Sequence, residues 1–521
     1  MIIPLLAALL VGPRMIGQSS SNAEMQLPQR QASDTAQYRA YNDSSARLVM
    51  SEPVSTFGLD TSTASYANVR RFLKAGRMPH PDAIRIEELL NYFPPLVGEA
   101  THSRLPDSPL SVAYELAPSP WNRDRVLLWL AFQADEADDE ISPPANLVFL
   151  VDVSGSMSPP ERLPLAKSSL RMLVRRLRPQ DCISIVTYAG TADVVLRATP
   201  GDGKAEILAA IERLGAGGGT AGGDGLRLAY EQAKASFVPG GINRILLCTD
   251  GDYNVGVSSI EELTNLVERE RESGVTLSVL GFGDDNLNDA MLSRISSCGN
   301  GNYSYIDSLD EAGKVLDEEL AATFVTVARD AKVQIEFNPQ NVREYRQIGY
   351  EKRHLNREDF NDDRVDAGDL GAGKRVTVLY ELALAGSRPS VDPLRYAQAE
   401  SATAVASEGL ESGELAYLKF RWKAPGTEES VRAQLSLDRA AIRASFLEAG
   451  SGLRFAAAVA AYGQKLRANP NLVGTGWHEI AAWAEGARRD DRYRAEFVRL
   501  VQLAERLGPG ASHVSHAAAS M

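Results

Sequence analysis

Asp152, Ser154 and Ser156 stand at alternate positions directly after an apolar run, Leu147-Val-Phe-Leu-Val151. One carboxylate and two neutral hydroxyls are hard oxygen donors, the kind a small divalent cation takes. Two other stretches offer donors of the same type. Gly215-Ala-Gly-Gly-Gly-Thr-Ala-Gly-Gly223 sets Thr220 among glycines ahead of a helical pattern, and Leu246-Leu-Cys-Thr-Asp250-Gly-Asp252 ends a second apolar run in a carboxylate. The candidate ligands are therefore Asp152, Ser154, Ser156, Thr220 and Asp250. Hydroxyl-rich ligation favours magnesium or manganese over calcium. Each stretch alone also has an ordinary reading, since Asp and Ser cap helices and Ser-Gly suits a turn; three in order point to a metal. Asp252 and Asn254 read as loop residues. Asp224 reads as a solvated carboxylate at a helix start, where Asp is favoured.

For the three stretches to meet, each apolar run must be a strand of one sheet. Strand-like runs at 146–152, 182–188, 244–249, 275–282 and 302–306 alternate with helical patterns. The first helix carries Leu163, Ala166, Leu170, Leu173, Val174 and Leu177 on one face. Strand–helix alternation predicts right-handed crossovers and a doubly wound, mainly parallel α/β sheet of Rossmann-like type over residues 145–325, with Asp193–Ala198 as an antiparallel edge. Ligands of such sheets bind beyond the carboxyl ends of the strands. That is where Asp152 and Asp250 fall.

The flanks read differently. Residues 51–140 give two helices, then strands at 110–117 and 125–133; residues 326–438 give strands at 331–337, 344–349, 374–385, 414–424 and 430–437. The expectation is one β-sandwich built from both sides, with the α/β module inserted between its strands. Residues 439–507 are helical, with Leu453, Phe455, Ala456, Val459, Tyr462 and Leu466 on one face, and 508–521 form a small polar tail. Residues 1–17 fit a signal-peptide apolar segment, without the usual basic start, and 18–50 have the composition of a disordered linker. An exported protein, periplasmic or at the cell surface, is the expectation, with a cytosolic one as the alternative. No other segment is apolar enough to span a membrane.

Composition removes other functions. A net charge of -13 and the lack of basic runs interleaved with aromatics argue against nucleic acid as partner. The three cysteines, Cys182, Cys248 and Cys298, read as small core residues, with a Cys182–Cys248 bridge between neighbouring strands held open. All six histidines lie outside 145–325, the glycine loop lacks the Lys-Ser/Thr of a phosphate loop, and His478-Glu479 has no second histidine at zinc-protease spacing. The chain is thus not expected to be an enzyme; the alternative is a metal-dependent hydrolase with Asp250 or Asp152 activating water.

Asp-x-Ser-x-Ser, a distant Thr in a Gly-rich loop and a later Thr-Asp-Gly resemble the metal-ion-dependent adhesion site (MIDAS) of von Willebrand factor type A (VWA) domains. Pro53-Val-Ser-Thr-Phe, Ala64-Ser-Tyr-Ala-Asn-Val-Arg-Arg-Phe-Leu, Arg85-Ile-Glu-Glu-Leu-Leu-Asn-Tyr-Phe and Phe455-Ala-Ala-Ala-Val-Ala-Ala-Tyr-Gly resemble flanking segments of a bacterial group of these proteins. The resemblance implies that Ser154, Ser156 and Thr220 bind the ion through hydroxyls, and that Asp152 and Asp250 do so directly or through water. Members of that group are often lipoproteins, but no cysteine lies near residues 10–30 here. An ion with so few carboxylates stays under-neutralised and can exchange a water for an exposed Asp or Glu of a partner protein. The expected function is metal-dependent protein binding. A second expectation is an adapter subunit of a chaperone-like or metal-inserting assembly, its ATPase on a separate chain.

Overall fold

The computed structural model describes residues 36–59, 62–136, 143–219, 222–251, 260–284, 287–319, 325–365, 367–390, 413–472 and 474–508. The expected signal segment, the first part of the linker, most of the tail, Thr220, Asp252 and Asn254 lie outside them.

The chain enters through β1 (Arg47–Leu48) and β2 (Val54–Gly58), then forms α1 (Ala64–Lys74), α2 (Ile86–Asn91) and the strands β3 (Thr101–Arg104), β4 (Leu110–Pro118) and β5 (Val126–Ala134). The α/β module follows. Its strands are β6 (Ala145–Asp152), β7 (Cys182–Tyr188), β8 (Ala192–Pro200), β9 (Ile242–Thr249), β10 (Thr276–Gly281) and β11 (Tyr303–Tyr305). Its helices are α3 (Leu163–Arg176), α4 (Lys204–Arg213), α5 (Gly222–Ala235), α6 (Ile260–Arg271), α7 (Asp289–Cys298) and α8 (Leu309–Gly313), the last running into a wider turn at Lys314–Glu319. After it come β12 (Thr326–Phe337), β13 (Val342–Ile348), β14 (His354–Leu355), β15 (Leu370–Gly371), β16 (Arg375–Leu384), β17 (Glu414–Lys423) and β18 (Ser430–Asp438). The helices α9 (Ser451–Leu466), α10 (Trp477–Glu485) and α11 (Arg492–Leu507) close the described chain.

The module is an α/β fold on a mixed sheet, ordered β11-β10-β9-β6-β7-β8. Every pair in it is parallel except β7 with β8, so the antiparallel edge stands where the sequence put it. The apolar run of β6 explains the covering on both faces. Leu147, Phe149 and Val151 enter the core made with α3 and α4, while Val148 and Leu150 enter the core made with α5, α6 and α7. A continuous apolar strand can satisfy two such faces; an alternating one could not.

The module lies in the chain between β5 and β12, strands of two sheets that share one core. One sheet runs β1-β13-β16-β5-β4-β3, the other β14-β2-β12-β17-β18. On β5 the period of two divides the work: Leu128, Leu130 and Phe132 face the second sheet, and Leu127, Trp129 and Ala131 face a helical layer. That layer combines α1 and α2 with α9, α10 and α11 in one core, so segments nearly 400 residues apart complete each other's apolar faces.

One expectation needs correction, and one alternative left open is settled. Residues 36–50 do not behave as a linker. Leu48 pairs with Glu344 on β13, Val49 is buried, the Gln37 amide donates to the Leu287 carbonyl at 2.9 Å, and the Tyr38 ring stacks on His80. Few apolar residues suffice there because an existing sheet edge supplies the partner. A Cys182–Cys248 bridge is also absent; both thiols are free. The strand β6 lies between β7 and β9, and the two cysteines sit at opposite ends, Cys182 opposite Asn146 and Cys248 opposite Val151.

Candidate metal centre

Parallel strands end together, so β6 and β9 bring Asp152 and Asp250 to one edge. Both carboxylates are fully buried. After Asp152 the chain leaves the sheet in a short loop whose amides and hydroxyls turn back on the carboxylate. The Ser154 amide donates to Asp152 Oδ1 at 2.9 Å, and the Thr249 hydroxyl donates to Oδ2 at 3.0 Å. Asp152 thereby fixes the Ser154 loop and couples it to β9.

Burial raises Asp152 to about 6, against the pull of hydrogen bonds from Ser154, with the Asp250 charge adding to the rise. A neighbouring cation would act in the opposite direction, favouring the ionised form.

The Ser154 and Ser156 hydroxyl oxygens are 3.0 Å apart. Two adjacent ligands of an octahedral ion bonded at 2.0–2.1 Å are separated by √2 times that length, about 2.8–3.0 Å. The hydroxyl pair therefore has the span of one edge of a magnesium octahedron, and the donor set fits the ion. Among the described residues no three His, Cys, Asp or Glu side chains gather as a metal site. What this edge offers is hydroxyls with two carboxylates behind them.

The glycine loop is laced to the same place. The Gly217 amide donates to the Val153 carbonyl at 2.7 Å, and the Gly155 amide donates to the Gly218 carbonyl at 3.1 Å. Gly218 holds φ +84°, which a side chain would resist. The loop ends described at Gly219, so its backbone reaches the site while Thr220 itself is outside the described residues. Asp224 is exposed in the first turn of α5 and pairs with Arg227 at 2.9 Å, the solvated role expected of it.

Two participants were not singled out in the sequence. The sequence signal of Thr249 is its place immediately before Asp250. Arg162 had no signal as a ligand, because a cation is not a donor to a metal. It is buried at the start of α3 and donates through Nη1 to Asp250 Oδ2 at 3.0 Å and to the Ser156 carbonyl at 2.6 Å. Gly283 makes room for it: φ there is +90°, and a Cβ would come 2.6 Å from Arg162 Nε. The guanidinium neutralises much of Asp250 and pins the Ser156 backbone. Any ion at this edge would meet less negative charge than two carboxylates would otherwise offer.

The von Willebrand factor type A domain family matches residues 146–318. A family described as von Willebrand factor matches 32–129, and one described as the C-terminal region of the uncharacterized protein YfbK matches 322–507. The chain is 51% identical over 476 residues to the uncharacterized protein YfbK of Escherichia coli, covering 90% of this chain and 81% of that one. It is 32% identical over 196 residues to the uncharacterized protein sll0103 of Synechocystis, covering 38% of this chain and 45% of that one. Among solved structures, a von Willebrand factor type A protein from Catenulispora acidiphila is similar at TM-score 0.41 and 16% identity, covering 77% of this chain and 91% of that one.

Proposed function

We propose that this chain, which belongs to the family of the uncharacterized protein YfbK and carries a von Willebrand factor type A domain at its centre, is a divalent-cation-dependent protein-binding module that captures an acidic side chain of a partner. The domain suggests a protein-interaction or scaffold role in general terms; the metal and the acidic partner are our reading. One observation carries it: two hydroxyls 3.0 Å apart at a strand end, backed by a buried carboxylate that fixes their loop.

The residues divide the work. Ser154 and Ser156 would hold the ion directly, with Thr220 as a third hydroxyl. Asp152 positions the first loop, and Arg162 occupies part of Asp250. A bound magnesium or manganese ion would supply an electropositive point able to accept a partner's carboxylate oxygen. The role is binding rather than turnover, since no histidine lies within residues 145–325 to serve as a general base. Export, suggested by the apolar residues 1–17, belongs to the same proposal. Among the described residues no helix is long and apolar enough to cross a membrane.

Calorimetry with magnesium and manganese tests the ion. Saturable uptake by the wild type, lost in Ser154→Ala with unchanged thermal stability, is the expected result. Protein capture that survives both chelator and Ser154→Ala would sink the metal-dependent reading.

A further inference from the structure

Residues 36–49 meet the α/β module, the helical layer and the sandwich in turn. Gln37 bridges the turn into α7 by two backbone hydrogen bonds. Its amide donates to the Leu287 carbonyl at 2.9 Å, and its carbonyl accepts from the Ala290 amide at 3.2 Å. Ala290 lies in the first turn of α7, where amides have no partner within the helix. Asn288 caps the next amide, its side chain accepting from Met291 at 3.1 Å. Gln37 thus completes the amino end of α7. Tyr38 stacks on His80 and accepts from Asn68 Nδ2 at 3.0 Å, which seats it on α1. Asp43 pairs at 2.8 Å with Arg467, directly after α9. The Ser44 amide donates to Glu351 Oε1 at 3.3 Å, and Leu48 pairs with Glu344 on β13.

The turn that Gln37 holds backs the metal edge. Gly251 follows Asp250 directly, with φ +86°, and a Cβ on it would come 2.8 Å from the Asn288 amide nitrogen. Hydrogen bonds then lead from Gly251 to the hydroxyl loop. The Gly251 amide donates to the Thr249 hydroxyl at 3.0 Å, and that hydroxyl donates to Asp152 Oδ2 at 3.0 Å. Asp152 Oδ1 accepts from the Ser154 amide at 2.9 Å. The two ends of the connection from β10 to α7 are held differently. Gly283 is held from within the module, its carbonyl accepting from the Tyr305 hydroxyl at 2.5 Å. Leu287 and Ala290 are bonded to Gln37, which lies outside the module in sequence.

We propose that residues 36–49 are a strap that tunes the metal edge. Seated on α7, the strap holds Asn288 against Gly251 and keeps the Asp152 and Ser154 loop in place. Lifted, it lowers the affinity of that edge for a divalent ion. This regulation presupposes that the edge binds an ion, as proposed for its function. Coupling of this kind is reciprocal, so an ion at the edge would in turn tighten the strap on α7. The contact with α7 is made by backbone, so the side chain of residue 37 is not what matters there.

The full-length wild type, Gln37→Pro and Gln37→Ala are compared by hydrogen exchange in metal-free buffer and by calorimetric titration with magnesium. Proline removes the amide that donates to Leu287, whereas alanine keeps both backbone bonds. Gln37→Pro should speed exchange in segments 246–251 and 287–292 and weaken magnesium binding, each by about tenfold, with the melting transition still cooperative. Gln37→Ala should change neither. Tyr38→Ala, which frees the strap from α1 with its backbone intact, should act in the same direction as Gln37→Pro and decides the matter if the proline variant does not fold. Faster exchange at 287–292 alone, with 246–251 and magnesium affinity unchanged, would reduce the strap to a cap for α7 and overturn the proposal. Unchanged exchange at both segments would overturn it too. Absence of magnesium uptake by the wild type would overturn the reading of the edge as a metal site. Exchange at 246–251, read without metal, still decides whether the strap holds the Asp250 loop, and so separates the two failures.

Discussion

Arg162 gives the metal edge a property that ligand chemistry alone would not. With its guanidinium 3.0 Å from Asp250 Oδ2, part of the site's negative charge is already spent on a fixed cation. A divalent ion there should bind modestly and stay hungry for a carboxylate. Arg162→Gln should therefore move two affinities in opposite directions: magnesium binding should tighten by about tenfold, and capture of an acidic partner should weaken. Calorimetry and divalent-dependent capture on one preparation check both; parallel loss of the two would mean that Arg162 only holds the loop together. Gly283→Ala offers an independent route, since φ is +90° and the added Cβ would press on Arg162 Nε. It should cost about 1–2 kcal/mol of stability, read by denaturant unfolding, and reproduce part of the Arg162→Gln behaviour. The strand ends that carry Asp152, Ser154, Ser156 and Asp250 were legible because Asp-x-Ser-x-Ser and Thr-Asp-Gly each follow an apolar run. Arg162 was illegible because its role depends on Gly283, which is 121 positions away in the chain.

At the scale of elements, buried ion pairs fasten the helical layer to the α/β module. Arg70 on α1 donates through Nε to Asp307 Oδ2 at 2.7 Å, through Nη2 to Glu311 Oε2 at 2.7 Å and through Nη1 to Glu496 Oε2 at 3.0 Å. Burial would lower Arg70, but the hydrogen bond to Asp307 and the charges of Glu311 and Asp307 raise it above the ordinary range. Glu311 lies on α8 and Glu496 on α11, so one guanidinium joins three regions of the chain. Arg70→Ala takes this cation from the buried carboxylates of Asp307 and Glu311, while Glu496 keeps Lys74 at 3.1 Å, and should destabilise by about 3–5 kcal/mol in chemical denaturation. A loss within the range of a surface substitution would show that the junction is held by apolar packing alone. Local pattern revealed α1 and α9 as helices, from Asn68-Val-Arg-Arg-Phe-Leu-Lys and the Leu453 face. It could not reveal that they share a core, because an amphipathic face states that a partner exists and not which one. The same limit misread residues 36–50, whose burial depends on β13 offering an open edge.

At the scale of the whole molecule, the insertion sets the proposed metal edge at the carboxyl ends of the module's strands, while sandwich residues meet the amino ends of β9 and β10. The alternation of strands and helices made that insertion legible, since β4 and β5 before the module resemble β12 to β18 after it. The charge interplay between α2 and the sandwich was not legible. Glu351, on the loop after β13, is pushed up to about 7 by burial and by the charge of Glu87, with Arg467 opposing. Burial also raises Glu87, and Glu88 adds to the rise. The sign follows from linkage. A carboxyl raised from the ordinary range near 4.5 to about 7 binds more protons folded than unfolded across that window. Its contribution to stability is favourable at the acid side and is lost as pH rises from 4.5 through 7. Glu88 and Glu496, both lowered, act the other way, so the total curve mixes signs and only a difference isolates the effect. Glu351→Gln should unfold at a higher temperature than the wild type at pH 8, and the gap should close as pH falls toward 4.5. A pH-independent gap between the two melting curves would place Glu351 in solvent-like surroundings and remove its interplay with Glu87 from the account of how α2 meets the sandwich.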